Sequence, residues 1–428
     1  MSNLIDLIKT GDDCVKCGKC IPVCTIHAIS PDETTSPRGF LDLLAAHKRG
    51  DLPLDKDVKR IFESCFLCTN CVDVCPSRLP TDTAIEEIRA EIAEEFGITW
   101  YKKAFFILLK YRWLMDILAK LGYVFKSCAF ADKKEKNSML PRFYLPVVKT
   151  GRLLPSVSKT SFLNSHEEHI EAPSADKKAA VFIGCMANYS YTNIGDSLVN
   201  VLQKLGIDIL IPKKQLCCGA PAYFTGDLDT VRWLVKKNIE YFETFIDNVD
   251  AIVVPEATCS SMMVHDWEVV LKNEPEWVQR SKKITSKVHL ATKWLAQNTK
   301  LQELLAAEGR QMNYSVTYHD PCHARKTQGV WKEPRALLSK NYPLIEMENP
   351  NRCCGFGGVT IQTERFELAQ KAGAPKAQMI KETGADIVSA ECSACRMQLT
   401  NAMYQNGVET VFKNPIELID EALKSAEK

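Results

Sequence analysis

Residues 14–24 read CVKCGKCIPVC, and residues 65–76 read CFLCTNCVDVCP. Each stretch spaces four cysteines as C-x2-C-x2-C-x3-C; a proline follows the last cysteine of the second run, whereas Thr25 follows the first. Four thiolates packed this closely form a soft ligand set that suits iron and sulfide better than a hard cation. The spacing is typical of the runs that hold [4Fe–4S] clusters. The two stretches therefore predict a small domain built around two cubane clusters.

The spacing also predicts how the ligands are shared. In proteins with two such clusters, the fourth cysteine of each run ligates the cluster of the other run. Structural zinc is the alternative, but its sites are usually built from two separated C-x2-C pairs, so two complete runs favour iron–sulfur. The predicted ligand sets are Cys14, Cys17, Cys20 and Cys75 for one cube, and Cys65, Cys68, Cys71 and Cys24 for the other.

The bulk composition is that of an ordinary globular protein. The chain has 428 residues, enough for two or three domains, and a formal net charge of +1, so no nucleic-acid partner is expected. Residues 1–13 lack the features of a secretory signal, and no apolar run is long enough for a membrane span. The chain has 18 cysteines, and their pattern without a secretory signal suggests a reducing cytoplasm in which thiolates hold metal.

The later cysteines form a long internal repeat. Equivalent cysteines are 137, 136 and 133 residues apart, which predicts a duplicated domain. In this pairing, Met262 stands where a second cysteine would follow Cys259. The first copy contains Cys185, Cys217, Cys218 and Cys259, and the second contains Cys322, Cys353, Cys354, Cys392 and Cys395.

Short apolar runs precede these cysteines and predict buried parallel strands. Longer periodic stretches between them predict helices. The pattern is α/β, with cysteines in loops at the strand ends, where open sheets usually place ligands. The predicted strands lie at 180–184, 252–254, 316–318 and 387–388, and the predicted helices at 194–205 and 366–383.

The two copies differ in the number of thiols they offer. Five cysteines exceed what one tetrahedral metal needs, so the second copy predicts an unusual iron–sulfur site. The four thiols of the first copy leave three alternatives open: a four-cysteine cluster, a zinc ion or no metal. A buried thiol pair or a disulfide is the alternative for the adjacent cysteines.

Taken together, these motifs resemble the CCG-domain (cysteine-rich) iron–sulfur oxidoreductases. That family includes the iron–sulfur subunits of anaerobic glycerol-3-phosphate dehydrogenase and glycolate oxidase, lactate-utilisation proteins and the catalytic subunit of heterodisulfide reductase. The motifs are the two cysteine runs, SPRG at 36–39, GC at 184–185, LCCG at 216–219, HDPCH at 319–323, RCCGFGG at 352–358 and ECSAC at 391–395.

The resemblance implies an α+β multidomain protein. A helical, ferredoxin-like domain with two clusters would occupy 1–97, followed by a basic, aromatic helical linker or interface segment at 98–176. A duplicated α/β, Rossmann-like CCG domain would follow, with an incomplete repeat at 177–300 and a complete repeat at 312–428.

The heterodisulfide reductase branch implies a cofactor for the second repeat. In that branch a complete repeat binds a non-cubane [4Fe–4S] cluster through its five cysteines. Carried over to this chain, these ligands are Cys322, Cys353, Cys354, Cys392 and Cys395. The departure at Met262 puts a second cluster of this kind in doubt.

The chain has no GxGxxG motif between a strand and a helix and no GxxxxGK[ST] run, so its redox partner is expected on another polypeptide. We predict an electron-transfer subunit of a respiratory complex at the inner face of the cytoplasmic membrane. Its partners would be a flavoprotein dehydrogenase or a membrane cytochrome b, with a quinone as acceptor. The alternatives are a disulfide or heterodisulfide reductase that uses the second-repeat cluster, and a metal-stabilised scaffold.

The segment from 100 to 160 is rich in basic and aromatic residues. Thirteen basic residues between Lys102 and Lys159 are opposed by only three acidic ones. Residues 104–125 predict a helix with apolar groups on almost every side. Such a helix is either packed between domains or lies on a membrane surface, with lysines reaching anionic headgroups.

A few single residues are candidates for roles beside the metal. His319 and His323 flank Cys322 and could donate protons or hydrogen bonds to cluster sulfur, although packing is the commoner role of such histidines. Glu391 is a candidate proton relay, with a solvated or salt-bridged carboxylate as the alternative. Cys128 belongs to no set and is expected to be a buried thiol.

Overall fold

The structure is a computed structural model that describes residues 5–145, 148–149, 151–173 and 175–424. Its N-terminal domain consists of short helices, and most cysteines of the two runs lie in the loops between them. The elements, in chain order, are the helices Leu7–Asp12, Thr25–Ile29, Pro37–Arg49, Lys56–Phe62, Asn70–Asp73 and Thr81–Glu95, with a 3-10 turn at Glu33–Thr35.

The SPRG stretch starts the helix Pro37–Arg49. The Ser36 hydroxyl accepts a hydrogen bond from the Gly39 amide at 3.0 Å, and the proline occupies the first turn, where its missing N–H costs nothing. A Cβ atom at Gly39 would lie 1.9 Å from the Glu33 carbonyl oxygen, so only glycine fits there. This motif therefore fixes the entry of the helix that packs beside both cysteine runs.

The segment that follows contains two helices where the sequence predicted one. Trp100–Lys110 packs Phe106 and Leu109 into the core, whereas Arg112–Ala129 buries none of its described residues. The two helices meet at Tyr111, whose backbone leaves the helical region. No helix of the described residues is both long and apolar enough to span a bilayer. Beyond them lie a 3-10 turn at Lys134–Lys136, the helix Phe162–Ser165 and the strands β1 (Phe130–Lys133), β2 (Ser138–Pro141), β3 (Leu154–Pro155) and β4 (His169–Ile170).

The first α/β unit contains a five-stranded sheet with the order β4-β6-β5-β7-β8. All neighbours are parallel except β4, which pairs with β6 in antiparallel orientation. Its strands are β5 (Lys178–Val181), β6 (Asp208–Leu210), β7 (Ala251–Val254) and β8 (Val288–Leu290). Its helices are Cys185–Tyr189, Thr192–Lys204, Ala220–Tyr223, Leu228–Phe242, Ala257–Ser261, Trp267–Leu271, Pro275–Thr285, Ala291–Asn298 and Leu301–Glu308, with a 3-10 turn at Ile246–Asn248 and a π-helical turn at Met262–Asp266.

The second α/β unit repeats this topology. Its strands are β9 (Val316–Tyr318), β10 (Ile387–Ser389) and β11 (Val411–Lys413), all parallel in the order β11-β10-β9, and a parallel bridge from Val316 to Leu344 continues the sheet. This order matches β8-β7-β5-β6 of the first unit, as expected for a duplication. Its helices are Cys322–Gln328, Lys332–Leu338, Gly358–Glu364, Phe366–Thr383, Ser393–Gln405 and Pro415–Lys424.

The predicted elements of the duplicated part are confirmed, with ends shifted by a few residues. The run at 180–184 pairs as a strand only as far as Val181. Apolar residues of both units share one core, so the repeats pack against each other. The core of the N-terminal domain includes Cys353, Ile361 and Phe366 of the second unit. The N-terminal domain is therefore packed directly on the second repeat.

Candidate metal centres

Two small cavities in the N-terminal domain collect the cysteines of the two runs. Each cavity is lined by three thiols of one run and by the last thiol of the other, and the ligand sets themselves stay a prediction. Cys71 lines both cavities. One cavity, of about 30 Å³, is lined by Cys14, Cys17, Cys20, Cys71 and Cys75; the other, of about 20 Å³, is lined by Cys24, Cys65, Cys68 and Cys71.

The loops around these thiols are held in an uncommon backbone conformation. Lys16, Leu67 and Thr69 have positive φ angles of 53°, 50° and 55°, although none is glycine. Such angles persist only where the surrounding structure requires them, and they often mark ligand sites. The Leu67 amide donates to the Cys65 sulfur at 3.4 Å. Burial raises the pKa of Cys65 to about 12, so metal binding there must displace a proton.

The five thiols of the second repeat converge at the carboxyl ends of β9 and β10. Cys354 interacts with both Cys353 and Cys395, which lower the pKa of Cys354 to about 6. Cys395 also interacts with Cys392 and lowers the pKa of Cys392 to about 6. Burial alone would raise the pKa of Cys322, but the His323 imidazole holds it below its usual value. Three of the five thiols are thus shifted towards the thiolate, which is the form that binds metal. Interactions with their neighbouring thiols instead raise the pKa values of Cys353 and Cys395.

The N-terminal domain and the second repeat meet at their thiols. The Cys353 thiol interacts with the Cys68 thiol and, together with burial, raises the pKa of Cys68 well above its usual value. The Lys326 ammonium donates to the Cys68 carbonyl at 3.0 Å and to the Asn70 side chain, which fixes the two loops together. No motif in the sequence predicted that these two thiols lie side by side.

His319 is buried, and one of its ring nitrogens faces the second-repeat thiols. Nδ1 lies 3.2 Å from the Pro350 carbonyl, which can only accept, so Nδ1 carries the proton. Nε2 has no hydrogen-bond partner among the described residues, and a ring nitrogen of His319 lies within 4.8 Å of the Cys354 and Cys395 sulfurs. Burial lowers the pKa of His319 well below its usual value. The neutral ring therefore presents a lone pair, rather than a proton, to the thiol cluster.

The other two single candidates are engaged by protein groups. His323 Nδ1 lies 3.8 Å from the Cys322 sulfur, and its ring stacks on Phe224 with centroids 5.6 Å apart. The Glu391 carboxylate accepts from the Thr292 amide at 3.0 Å and from the Thr292 hydroxyl, and burial raises the pKa of Glu391 to about 8. Glu391 is thus neither solvated nor salt-bridged.

The four thiols of the first repeat also lie together. Cys217 interacts with Cys185 and Cys218, and Cys218 interacts with Cys259. The Gly219 amide donates to the Cys217 sulfur at 3.5 Å, as the Gly355 amide does to the Cys353 sulfur at 3.3 Å in the second repeat. The first repeat therefore offers four ligands, the number that a tetrahedral metal takes.

The fold corrects the position of the missing fifth cysteine. Cys259 and Cys395 are each the third residue of the helix that follows its strand, and they are 136 residues apart, like the adjacent pairs. Glu256 and Cys392 are the residues that begin these two helices. Glu256, rather than Met262, thus replaces the fifth thiol, while Met262 is fully buried in the apolar core.

Glu256 accepts hydrogen bonds that join the two repeats. Its carboxylate accepts from the Ser393 amide at 2.7 Å and from the Ser393 hydroxyl, at the start of the helix that carries Cys395. Burial raises the pKa of Glu256 to about 8. A carboxylate at a helix N-terminus is favoured by the exposed amides and the helix dipole.

Other expectations differ from the structure. Cys128 is exposed, not buried, because it lies on the helix Arg112–Ala129, which has no buried residue in the described chain.

Lys376 is fully buried and donates to the Asn349 and Pro350 carbonyls at 2.7 and 3.1 Å, behind His319. The sequence indicates this burial only through the position of Lys376 on the apolar face of the helix Phe366–Thr383.

The donor set fits iron–sulfur clusters. None of the 18 cysteines, all within the described residues, forms a disulfide, and 17 of them lie in four groups of thiols. Thiolates are the ligands of such clusters, and amides directed at sulfur are the hydrogen bonds that tune them. The unpartnered His319 Nε2 points into one of these groups.

Comparison with known families agrees with this chemistry. Residues 179–264 and 316–400 match the cysteine-rich CCG domain, and residues 13–79 match a 4Fe-4S dicluster domain. This chain belongs to the CCG-domain iron–sulfur family. The three matched segments confirm the duplicated CCG domain and the ferredoxin-like dicluster domain.

Relatives of this CCG-domain protein include one that is named as an iron–sulfur subunit and one that is named for lactate utilization. A probable glycolate oxidase iron–sulfur subunit of Bacillus subtilis is 29% identical over 97% of this chain and 94% of its own length. Lactate utilization protein A 2 of Bacillus mycoides is 31% identical over 57% of this chain and 98% of its own length. A crystal structure of a hypothetical protein from Helicobacter pylori shares the fold, with a TM-score of 0.53 at 13% identity over 98% of this chain and 75% of that one.

Proposed function

We propose that this chain is the iron–sulfur electron-transfer subunit of an oxidoreductase complex that oxidises a 2-hydroxy acid. The observation that carries the proposal is the contact between the Cys68 and Cys353 thiols, which sets the second ferredoxin-type ligand group against the second CCG repeat. The relatives named for glycolate oxidase and lactate utilization suggest the substrate class.

The chain holds the two N-terminal ligand groups and the ligand group of the second repeat next to one another. Bound iron–sulfur clusters accept and release single electrons. Cys71 lines both N-terminal cavities, and Cys68 joins the second of them to the second repeat. We assign cubane clusters to the two N-terminal groups and a non-cubane cluster to the five thiols of the second repeat. The four thiols of the first repeat hold a further cluster or zinc.

The proposed partners follow from the chemistry that the chain lacks. Oxidation of a 2-hydroxy acid releases a hydride, and no flavin or nicotinamide motif stands in the sequence. A flavoprotein dehydrogenase would take the hydride and pass on two electrons, and a quinone would take up these electrons with two protons. A membrane cytochrome b is the alternative partner on the quinone side.

The helix Arg112–Ala129 supports a location at the inner face of the cytoplasmic membrane. It exposes an apolar stripe, in which Trp113 is 64% exposed, Val124 67% and Phe125 60%. The exposed Lys120 flanks the stripe, and the helix also carries the half-buried Arg112 and Lys126. An amphipathic helix of this kind binds bilayers that contain anionic lipids.

Vesicle co-sedimentation tests this location. The variant Val124→Glu should lose binding to vesicles that contain phosphatidylglycerol, because a carboxylate would enter the apolar contact. The control Ile345→Glu changes an apolar residue that is 37% exposed on another surface and should bind as the wild type does. Equal binding of both variants would place the membrane contact elsewhere.

Anaerobic purification tests the electron-transfer role. Two cubes and a third centre predict about twelve iron atoms per chain and paramagnetic signals on reduction with dithionite. The assembled complex should then reduce a quinone with electrons from a 2-hydroxy acid. Zinc without iron, and no signal on reduction, would contradict the proposal and favour a scaffold.

A disulfide or heterodisulfide reductase remains a second candidate, because all five thiols of the second repeat lie together in a buried pocket. This candidate predicts new paramagnetic signals when a disulfide is added to the dithionite-reduced protein, which supplies the two electrons that cleavage of the S–S bond requires. Quinone reduction without any such signal would reject it.

A further inference from the structure

A large cavity beside the thiols lies between the two repeats and next to the helix Trp100–Lys110. Its volume is about 450 Å³. The cavities at the two N-terminal ligand groups measure about 30 and 20 Å³ by the same measure. Space of this size exceeds what a four-thiol ligand group requires and falls in the range of small-molecule sites.

The wall of this cavity is mostly aromatic and apolar. Four aromatic rings and two methionines line it, from both repeats and from the helix Trp100–Lys110. Rings favour flat ligands, and methionine adapts to irregular ones. These residues are Tyr101, Phe105, Phe224, Phe356, Met186 and Met397.

One buried cation lines this cavity without a carboxylate partner. Arg152 is 5% exposed, and its guanidinium donates to the Gln362 carbonyl at 2.6 Å and to its side-chain oxygen at 2.5 Å. No carboxylate among the described residues pairs with it, whereas Lys102, on the same wall, lies 2.7 Å from a Glu364 oxygen. Burial lowers the pKa of Arg152 to about 10, so it stays charged at neutral pH. The guanidinium also stacks on the Phe366 ring, with its carbon 4.7 Å from the ring centroid. These contacts bring no negative charge to the buried cation, so an electron-rich ligand oxygen would stabilise it further.

The same cavity is lined by thiols of the first repeat and approaches the second. Cys185, Cys218 and Cys259 line its wall. Thr258 lines it as well, and its hydroxyl lies 3.4 Å from the Cys392 sulfur. A molecule bound here would therefore touch one ligand group and lie next to the other.

We propose that this cavity binds a quinone, with a ring carbonyl oxygen directed at Arg152 and the ring among the aromatic side chains. The proposal rests on the proposed function and names where its electron acceptor binds. The small number of polar groups argues against a nucleotide, which would need several donors for its phosphates. A disulfide is the competing occupant, but the S–S bond itself offers neither a ring to the aromatic wall nor an oxygen to Arg152.

Titration of the full-length protein with ubiquinone that carries one isoprene unit tests this site. The fully substituted ring does not alkylate thiols, and anaerobic calorimetry gives its Kd. Val359 is half-buried on the cavity wall, so Val359→Trp should fill the space and abolish binding. Arg152→Gln should weaken binding about tenfold, the usual loss for a hydrogen bond to a charged group. Ile345→Trp, at a position that is 37% exposed and outside the cavity, should bind as the wild type does.

The outcomes separate this proposal from the proposed function. If the reduced protein shows its paramagnetic signals and Val359→Trp binds the quinone unchanged, the cavity assignment is wrong and the electron-transfer role stands. Binding of 2-hydroxyethyl disulfide instead of the quinone, blocked by Val359→Trp, would assign the cavity to a disulfide. Absence of iron from the wild type would refute the proposed function, and the quinone titration would still show whether the cavity binds a quinone. If Arg152→Gln fails to fold, Val359→Trp decides alone.

Discussion

Replacing Arg89 by methionine should loosen the loop that carries Cys65. Arg89 is 2% exposed, and its guanidinium donates to four backbone carbonyls. The bonds to Cys65 and Phe224 are short, at 2.7 and 2.9 Å, and those to Phe62 and Glu63 are longer, at 3.3 and 3.4 Å. One side chain thus joins the second cysteine run to the loop before the helix Leu228–Phe242 of the first repeat.

The expected loss follows from the two short bonds. A hydrogen bond to a charged group contributes about 1.5–3 kcal/mol, so the two together predict a loss of about 3–6 kcal/mol in the free energy of unfolding. The two longer bonds are counted as weak because of their length. Methionine fills much of the same volume but satisfies no carbonyl, so four backbone groups would be left without this donor.

Anaerobic urea unfolding, followed by circular dichroism and by the visible absorption of the clusters, measures this loss. The visible absorption should disappear at lower urea than in the wild type, and the iron content should fall, because Cys65 belongs to a predicted ligand set. The control Arg232→Met removes a contact to Asp229, which is 97% exposed, and should change stability by less than about 1 kcal/mol. If Arg89→Met and Arg232→Met unfold at the same urea concentration, Arg89 does not hold the domains together.

Three further predictions concern the repeats. Cys395→Ser should abolish the EPR signal of the second-repeat centre and leave both cubes intact. The control Cys128→Ser, at an exposed cysteine outside every group, should change neither. Iron counting and EPR measure both effects. His319→Ala should alter the EPR spectrum of the same centre and remove any nitrogen coupling seen by pulsed EPR, since Nε2 faces its thiols; an unchanged spectrum would make the histidine a packing residue. Glu256→Gln should leave one donor of Ser393 unpaired and release iron from the second repeat to a chelator about tenfold faster; a wild-type rate would show that this contact does not support the site.

Predictions from the sequence held where they depended on neighbours along the chain. The strand before Cys322 and the helix Phe366–Thr383 are confirmed because apolar periodicity is a local property. The assignment of Met262 was wrong because counting residues cannot show where a helix begins after its strand. The expected burial of Cys128 was wrong because an apolar helix can face either a core or an unpaired surface.

The sequence by itself determined the ligand chemistry, because the spacing of thiols within a short run is set by bonds along the chain. The sequence also determined the duplication, because the constant spacing between equivalent cysteines can be seen without knowing how the chain packs. Only the tertiary structure decided that Cys68 touches Cys353, that Glu256 caps the helix of the other repeat, and that Arg152 is buried beside an apolar cavity. These contacts join residues far apart in sequence, and they depend on how the apolar faces of three units pack together.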